Sequence, residues 1–491
     1  EDILKQKTIA FAPFTYRFHP QVRARAGLLP WTELTRGGPG GPGEPSSGYW
    51  MRAQRLQLCE LPSPHGHGFP GDWWERFHET NPEYFALQPD GTRSFHGHKM
   101  CHSNPDLQEQ WVADVERQLA ENPNERLFNA SPADGYFTGH CICENCRAWD
   151  NPDAEACVLN WQGLSHAYVS LSDRHITFAN HVARKLKQRF PNRELYVYML
   201  AYGTWLPAPV AVVPDDNVII GNVANFLLRS DMASKTFTSQ RSNKERFADW
   251  GKITKLNFWR PNVGAPVGFQ WGMPDVPLQR TMDDMQFAAS NGWMGIYVDF
   301  VREIWSTQGP LYYLMAQLTW NPFQDGQAIL KDYYSRAFGP AAREMEAYWT
   351  YLEQIREQCY GTEQPGRADH DILEFYNAER LDKALELLDA AKKALGPDDE
   401  LYRKRVAFVE AGLDFTRLIT ECGRSAREYS RDNAADDVKA QLRVQNHAAW
   451  DKLRALRDAQ PDAVRWRLFF GGYKADGPPQ TPRYAPPLYI P

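Results

Sequence analysis

The chain has 491 residues, 43% of them hydrophobic, with 55 Lys and Arg against 61 Asp and Glu and a formal net charge of -6. That much apolar material excludes general disorder, and at roughly 150 residues per domain the length suits two or three domains, or an α/β barrel of about 250 residues with an addition. The acidic balance leaves no domain-wide basic excess to neutralise phosphates, so no nucleic-acid partner is expected, and no apolar run reaches the roughly 20 residues of a membrane-spanning helix.

Glu1 to Lys7 is charged and lacks the apolar run of a secretion signal, which leaves the compartment open. Residues 9–14 read as a short strand, and Thr35 to Gly48 (TRGGPGGPGEPSSG) as a flexible loop. His65 to Phe69 (HGHGF) leads into Trp73 and Trp74, a short helix, and the extended stretch Tyr84 to Leu87. Pro105 to Asn122 predicts a helix, with Pro in its first turn and Leu107, Trp111, Val115 and Leu119 recurring every fourth residue.

From there to residue 320, short apolar strands alternate with helices. The strand candidates are Arg126 to Ser131, Leu195 to Ala201, Asn217 to Val223, Leu256 to Trp259 and Gly295 to Asp299; the helix candidates are Ser172 to Phe190 and Thr281 to Asn291. This alternation implies a parallel sheet with both faces covered and favours a (β/α)8 TIM-type barrel over an open doubly wound sheet. After Pro322 the pattern turns helical: Leu381, Ala384, Leu385 and Leu388 lie on one helix face, and further helices are expected over Asp399 to Tyr429 and Ala434 to Ala459. The expected organisation is a barrel with an irregular N-terminal segment over residues 1–325, an α-helical domain over 326–476, and an extended Pro-rich tail over 477–491.

Catalytic groups of such barrels project from the carboxyl ends of the strands, which singles out Asp134 beyond the first strand, Asp299 closing the last, and Glu303 shortly after it. Two carboxyls facing each other across a site are what glycosidic cleavage needs, one to protonate the leaving oxygen and the other to attack or to steady the attacking group. Each Asp could equally cap a turn, and Asp134-Gly135 is a turn signal. Tyr198, Tyr202, Asn225, Trp259, Arg260 and Trp305 sit near other strand ends, and His65 and His67 in the HGHGF stretch; such groups can hold sugar hydroxyls and sugar faces or can simply finish a rim.

The densest metal motif is His140-Cys141-Ile142-Cys143-Glu144-Asn145-Cys146. Thiolates of Cys141, Cys143 and Cys146 can converge on one structural Zn2+, with His140, Cys157 or Cys101 as the fourth ligand; a disulfide between two of the three, or free thiols, are the alternatives. A metal-dependent hydrolase would instead need an open coordination position. No phosphate-binding loop, dinucleotide fingerprint, serine-nucleophile elbow or H-E-x-x-H helix is present, so no cofactor is expected to be required for catalysis.

Three stretches together carry a resemblance. They are Trp73-Trp74-Glu75-Arg76-Phe77 with Asn81 to Leu87, Ser131-Pro132-Ala133-Asp134-Gly135 with Cys141-x-Cys143-x-x-Cys146-Arg147-Ala148-Trp149-Asp150, and Trp305 to Pro310 with Leu318 to Pro322. In this order they resemble a broad bacterial family, common in Bacteroides and planctomycete-type bacteria, that includes the endo-β-N-acetylglucosaminidases of glycoside hydrolase family 163. The resemblance implies a retaining barrel glycosidase, with Asp134 and Asp299 as the matching acids and an oligosaccharide, polysaccharide or glycoprotein glycan as partner. In related hexosaminidases the substrate acetamide attacks while one acid donates the proton and another orients the amide. Where many Bacteroides members read Phe-Glu-Gln at the last strand, this chain reads Tyr297-Val298-Asp299. The alternative reading is a barrel that binds glycan without cleaving it; a glycan-degrading role favours a periplasmic or extracellular location.

Overall fold

The computed structural model describes residues 24–26, 66–68, 72–93, 99–135, 138–227, 236–262, 272–298, 304–360, 373, 376–431, 435–464, 466, 469 and 488–490. The strands are β1 (Ala24–Ala26), β2 (Leu127–Asn129), β3 (Ala156–Trp161), β4 (Leu164–Val169), β5 (Tyr196–Ala201), β6 (Val218–Asn222), β7 (Asn257–Trp259) and β8 (Trp293–Tyr297). Six of them form one sheet in the order β1-β8-β7-β6-β5-β2, and every neighbouring pair in it is parallel. The edge strands β1 and β2 do not pair with each other among the described residues, so the closed eight-stranded ring expected from the sequence is not seen there.

The helices that follow or precede these strands are α1 (Trp73–Phe77), α2 (Pro105–Glu121), α3 (Glu144–Arg147), α4 (Ser172–Arg189), α5 (Asn243–Ile253) and α6 (Leu278–Ser290). The helical region continues with α7 (Trp305–Trp320), α8 (Gly326–Phe338), α9 (Ala342–Tyr360), α10 (Ala378–Lys393), α11 (Glu400–Tyr429) and α12 (Asp436–Ala459). The start of α2 shows why its boundary was readable: the Asn104 side chain accepts from Asp106 N and Leu107 N at 2.8 and 3.2 Å, with Pro105 next in the chain.

Strand alternation divides the sheet into two faces. On one, Val197, Met199 and Ala201 of β5 and Val218 and Ile220 of β6 pack with Trp111 and Val115 of α2 and Phe178 and Val182 of α4. On the other, Tyr198, Leu200, Ile219, Phe258 and Met294 form a compact layer of their own, with Tyr202 and Tyr297 against it. The last strand lies slightly earlier than the sequence reading placed it, at Trp293–Tyr297, because its pairing with β7 begins at Trp293 opposite Asn257. Asp299 and Glu303 lie outside the described residues, as do His65 and the strand expected at 9–14.

The hairpin β3–β4 was not foreseen. Gln162 and Gly163 connect it, with φ of 53° and 82°. Two consecutive left-handed residues are what a tight two-residue hairpin turn requires, and Gly supplies one of them at no steric cost.

One core runs from the sheet into the helical region: Phe226, Trp259, Met285 and Trp293 belong to the same buried cluster as Leu311, Tyr348, Phe415, Ile419 and Trp450. Helix α7 is the hinge of this arrangement, apolar on nearly all sides and packed against both α6 and α11. A buried ion pair, Arg356 to Asp275 at 2.9 Å, also links α9 to the chain just before α6. The C-terminal stretch is anchored at its end: Leu488 and Ile490 are buried, and Asn446 of α12 donates to Leu488 O at 3.0 Å and to Cys422 O at 3.1 Å while accepting from Ile490 N at 3.1 Å. Replacing Asn446 with Ala removes partners from several buried backbone groups at once. Chemical denaturation of the variant is expected to show a loss of at least the roughly 1–3 kcal/mol that one unsatisfied buried group costs.

Candidate functional site

The carboxyl ends of β2, β5, β7 and β8 bring together polar groups from distant parts of the chain. Tyr198 is buried on the face of β5 away from α2 and α4, and Arg260, next after β7, is buried close enough to bias its hydroxyl. The Arg260 guanidinium lies 5.6 Å from the Tyr297 ring centroid at the end of β8. His67 stacks at a tilt against Tyr202, ring centroids 5.0 Å apart. The backbone beside His67 is fixed by β2, since Asn129 Nδ2 donates to Gly68 O at 3.0 Å.

Asp134 opens the loop that follows β2. Ser131 ties the start of this loop to the sheet, its hydroxyl accepting from Leu200 N at 2.9 Å. Lys99, only 2% exposed, reaches in from another segment and donates its ammonium protons to the carbonyls of Ala133 and Asp134, the latter at 2.6 Å. The Asp134 side chain itself is exposed, and its Oδ1 accepts from Gly135 N at 2.8 Å, with Gly135 at φ 81°. The turn expected at Asp134-Gly135 is therefore present, and it leaves the second carboxylate oxygen directed to other partners or solvent.

Burial sets the charge state here. It drives the Lys99 ammonium down to about 7, against the pull of Asp134. It also lowers His67 from 6.5 to about 4, with Asp134 working in the opposite direction and Arg260 and Lys99 adding to the fall. His67 is thus neutral near pH 7, able to donate from one ring nitrogen and accept at the other.

Next to this loop lies a four-cysteine cluster. The Sγ atoms of Cys101, Cys141, Cys143 and Cys146 all lie within 4.8 Å of one another. Three chain segments build it. The stretch 84–87 pairs antiparallel with 99–101, Cys101 N donating to Tyr84 O at 2.8 Å, and then pairs with the loop, Ile142 N donating to Leu87 O at 3.0 Å. Cys143 caps α3, its Sγ accepting from Cys146 N at 3.4 Å. Arg174 on α4 holds the loop from below, donating to Cys141 O at 2.8 Å and pairing with Asp150, both side chains nearly fully buried. Thiols of Cys141 and then Cys146 donating to Cys101 hold its sulfur far below the ordinary thiol value, with burial opposing them.

Of the candidates for a fourth ligand, only Cys101 joins the three. His140 turns its ring the other way, 5.6 Å from His175 and 5.5 Å from Trp205, and Cys157 is buried on β3 in the main core. His140, His102 and His175 instead form a buried ring cluster, His102 stacked on Phe178 at 4.5 Å. Burial, with Arg174 and Lys99 nearby, holds His102 neutral by pushing it down to about 3.

A family model for a domain of unknown function, DUF4838, matches residues 62–350, more than half of the chain. The chain belongs to the DUF4838 family. No curated protein matches it. The DUF4838 segment contains the whole loop from β2 through the cysteines, and strands β2 to β8 together with most of their helices.

Within the DUF4838 segment, the structure brings Asp134, His67, Tyr202 and Arg260 of the residues singled out in the sequence into one neighbourhood. Trp259 is placed elsewhere: strand alternation turns it away from Phe258 and into the core, where it is fully buried, stacks on Phe226 at 4.4 Å and donates to Ala224 O at 3.0 Å. Asn225 holds the chain after β7, its Oδ1 accepting from Asn262 N at 2.7 Å. Trp305 begins α7 with its ring edge-on to Tyr312. Lys99 was missed, because nothing in its sequence surroundings shows that a loop 34 residues later needs its ammonium.

The protonation of His67 gives a direct check. Its folded value lies below the unfolded 6.5, so its neutral form stabilises the fold fully above pH 6.5, and that contribution is lost as pH falls toward about 4. With allowance for solvent screening it amounts to on the order of 2–3 kcal/mol. An NMR titration is expected to place the His67 imidazole near 4, and Asp134→Asn to move it lower still, since the carboxylate that favours the charged ring is gone.

Proposed function

We propose that the protein is a retaining glycoside hydrolase that cleaves a glycan at a β-linked N-acetylhexosamine or a similar sugar, using Asp134 with Asp299, on a (β/α)8 barrel. The convergence of Asp134, His67, Tyr202 and Arg260 at the carboxyl ends of parallel strands carries this reading. Such ends are where barrel enzymes keep their chemistry. The barrel itself is supported by the pairing of β1, the first strand, with β8, the last, and by the inner layer of Tyr198, Leu200, Ile219, Phe258 and Met294 set opposite the helix-covered face.

The chemistry follows from the groups present. Arg260 and neutral His67 supply donors and an acceptor for hydroxyl or amide oxygens, and Tyr202 supplies a ring for a sugar face. The Asp134 side chain is exposed, so its carboxyl is open to a sugar laid over the loop. Tyr297 faces this neighbourhood and Val298 faces the core, and Asp299 is the next residue along. In the substrate-assisted form of the retaining mechanism one of the two acids protonates the departing oxygen and the other orients the acetamide that attacks the anomeric carbon; water then opens the intermediate.

The second reading, glycan binding without cleavage, draws on the bond from Gly135 N to Asp134 Oδ1, which is a turn-capping role sufficient to explain that residue. Product analysis by mass spectrometry over a panel of glycoproteins and polysaccharides separates the two. Wild type is expected to release an oligosaccharide, and Asp134→Asn and Asp299→Asn each to lower kcat by about 10²–10⁴ while the folded variants still bind the glycan. Cleavage undiminished in both variants overturns the assignment of this pair, and saturable binding with no product from wild type favours the binding protein.

A further inference from the structure

We propose that Cys101, Cys141, Cys143 and Cys146 bind one Zn2+ in a closed, four-thiolate structural site that fixes the loop carrying Asp134. The geometry is that of a single ion. A tetrahedral zinc with Zn–S bonds of about 2.3 Å sets its sulfurs about 3.8 Å apart. Here Cys101 Sγ lies 3.6 Å from Cys143 Sγ and 3.9 Å from Cys146 Sγ, and no two of the four sulfurs are more than 4.8 Å apart. None of the four is in a disulfide. An iron–sulfur cluster places several atoms between its cysteines and needs them more widely spread. Magnesium and calcium prefer oxygen donors, so a ligand set of sulfur alone selects a softer ion.

The surroundings suit the charge that results. Four thiolates around Zn2+ carry a net charge of two minus, which burial penalises unless donors and cations compensate. Leu87 N donates to Cys141 Sγ at 3.3 Å and Cys146 N to Cys143 Sγ at 3.4 Å. The Ser103 hydroxyl is 3.1 Å from Cys146 Sγ. Two cations are fixed beside the cluster, Arg93 donating to Phe85 O at 2.6 Å and buried Arg174 to Cys141 O at 2.8 Å. Binding releases the protons that the thiols still carry, so the metal is held at neutral pH and let go in acid.

With all four ligands from the chain, no coordination position is open to a substrate, and the ion takes no part in cleavage. Its work is mechanical. Cys101 lies just past Lys99, which clamps the Asp134 carbonyl, and Cys141 closes the loop that Asp134 opens. The ion joins the two sides of that loop. This inference is independent of the glycosidase reading, because it is tested by metal content alone.

The full chain, purified without chelator, is expected to contain one zinc per molecule by elemental mass spectrometry. Refilling with Co2+ alone is expected to give thiolate-to-cobalt charge-transfer absorption together with the visible bands of a tetrahedral ion. Cys101→Ser is expected to weaken metal binding by more than the 10–100-fold that changes outside the ligand set already cost. Cys157→Ser and Cys422→Ser are expected to keep the zinc. Should Cys101→Ser fail to fold, the cobalt spectrum of the wild type decides. A metal-free chain with four reactive thiols or with disulfides among the four overturns the proposal, as does a cobalt spectrum without sulfur charge transfer or full zinc retention by folded Cys101→Ser.

Discussion

The chain between β2 and β3 has little regular secondary structure, yet it is buried at residues 130–132 and 139–141, and a buried backbone must have its donors and acceptors met. Side chains from elsewhere meet them. Lys99 takes the carbonyls of Ala133 and Asp134, Gln88 that of Gly139, Trp161 that of His140, and Arg174 that of Cys141. Each of these is a long donor reaching in from a helix, a strand or a paired segment. The position of Asp134 and the grouping of the cysteines both depend on this external scaffolding, since neither lies on an element that would hold it unaided. It also explains why a lysine can be nearly fully buried: its charge is spent on carbonyl dipoles and on the nearby Asp134 carboxylate rather than on one direct ion pair.

The sheet adds a second constraint. Because neighbouring residues on a strand point to opposite faces, one position decides whether a side chain joins the layer of Tyr198 and Phe258 or packs against a helix. Tyr198 and Val197 differ only in this way, and so do Phe258 and Trp259. A site at the strand ends is therefore drawn from alternate residues, ending on β8 with Tyr297 and continued past β5 and β7 by Tyr202 and Arg260.

These two constraints explain what was legible in the sequence. Helices α2, α4, α11 and α12 were readable because amphipathic spacing and end signals such as Asn104-Pro105 are local. The strands β5 and β6 stood out as short apolar runs for the same reason. Trp259 was marked as a ligand platform on its place near a strand end, whereas its face follows from a register that a three-residue strand does not reveal. Cys141, Cys143 and Cys146 were visible as a motif, and Cys101 was one of three candidates to complete it. The choice rests on a contact between residues 40 or more apart, set by the pairing of 84–87 with both 99–101 and the loop. The β3–β4 hairpin was missed because its turn, Gln162-Gly163, lacks the Asn-Gly or Asp-Gly pair that signals such turns most strongly.

The continuity of the core between sheet and helices has its own consequence. Trp259 and Phe226 on the sheet side share one buried cluster with Tyr348, Phe415 and Trp450 on the helical side, with α7 between them. The polar links between the two sides among the described residues, such as Arg356 to Asp275 and Gln308 to Met273 O, are themselves buried and hold them together. A chain cut after Pro322 would leave α7 with one flank bare, an apolar surface of the kind that drives aggregation rather than a water-compatible face. The two halves are thus expected to melt in one transition, and changes in the far helices can be felt at the strand ends through the same packed side chains.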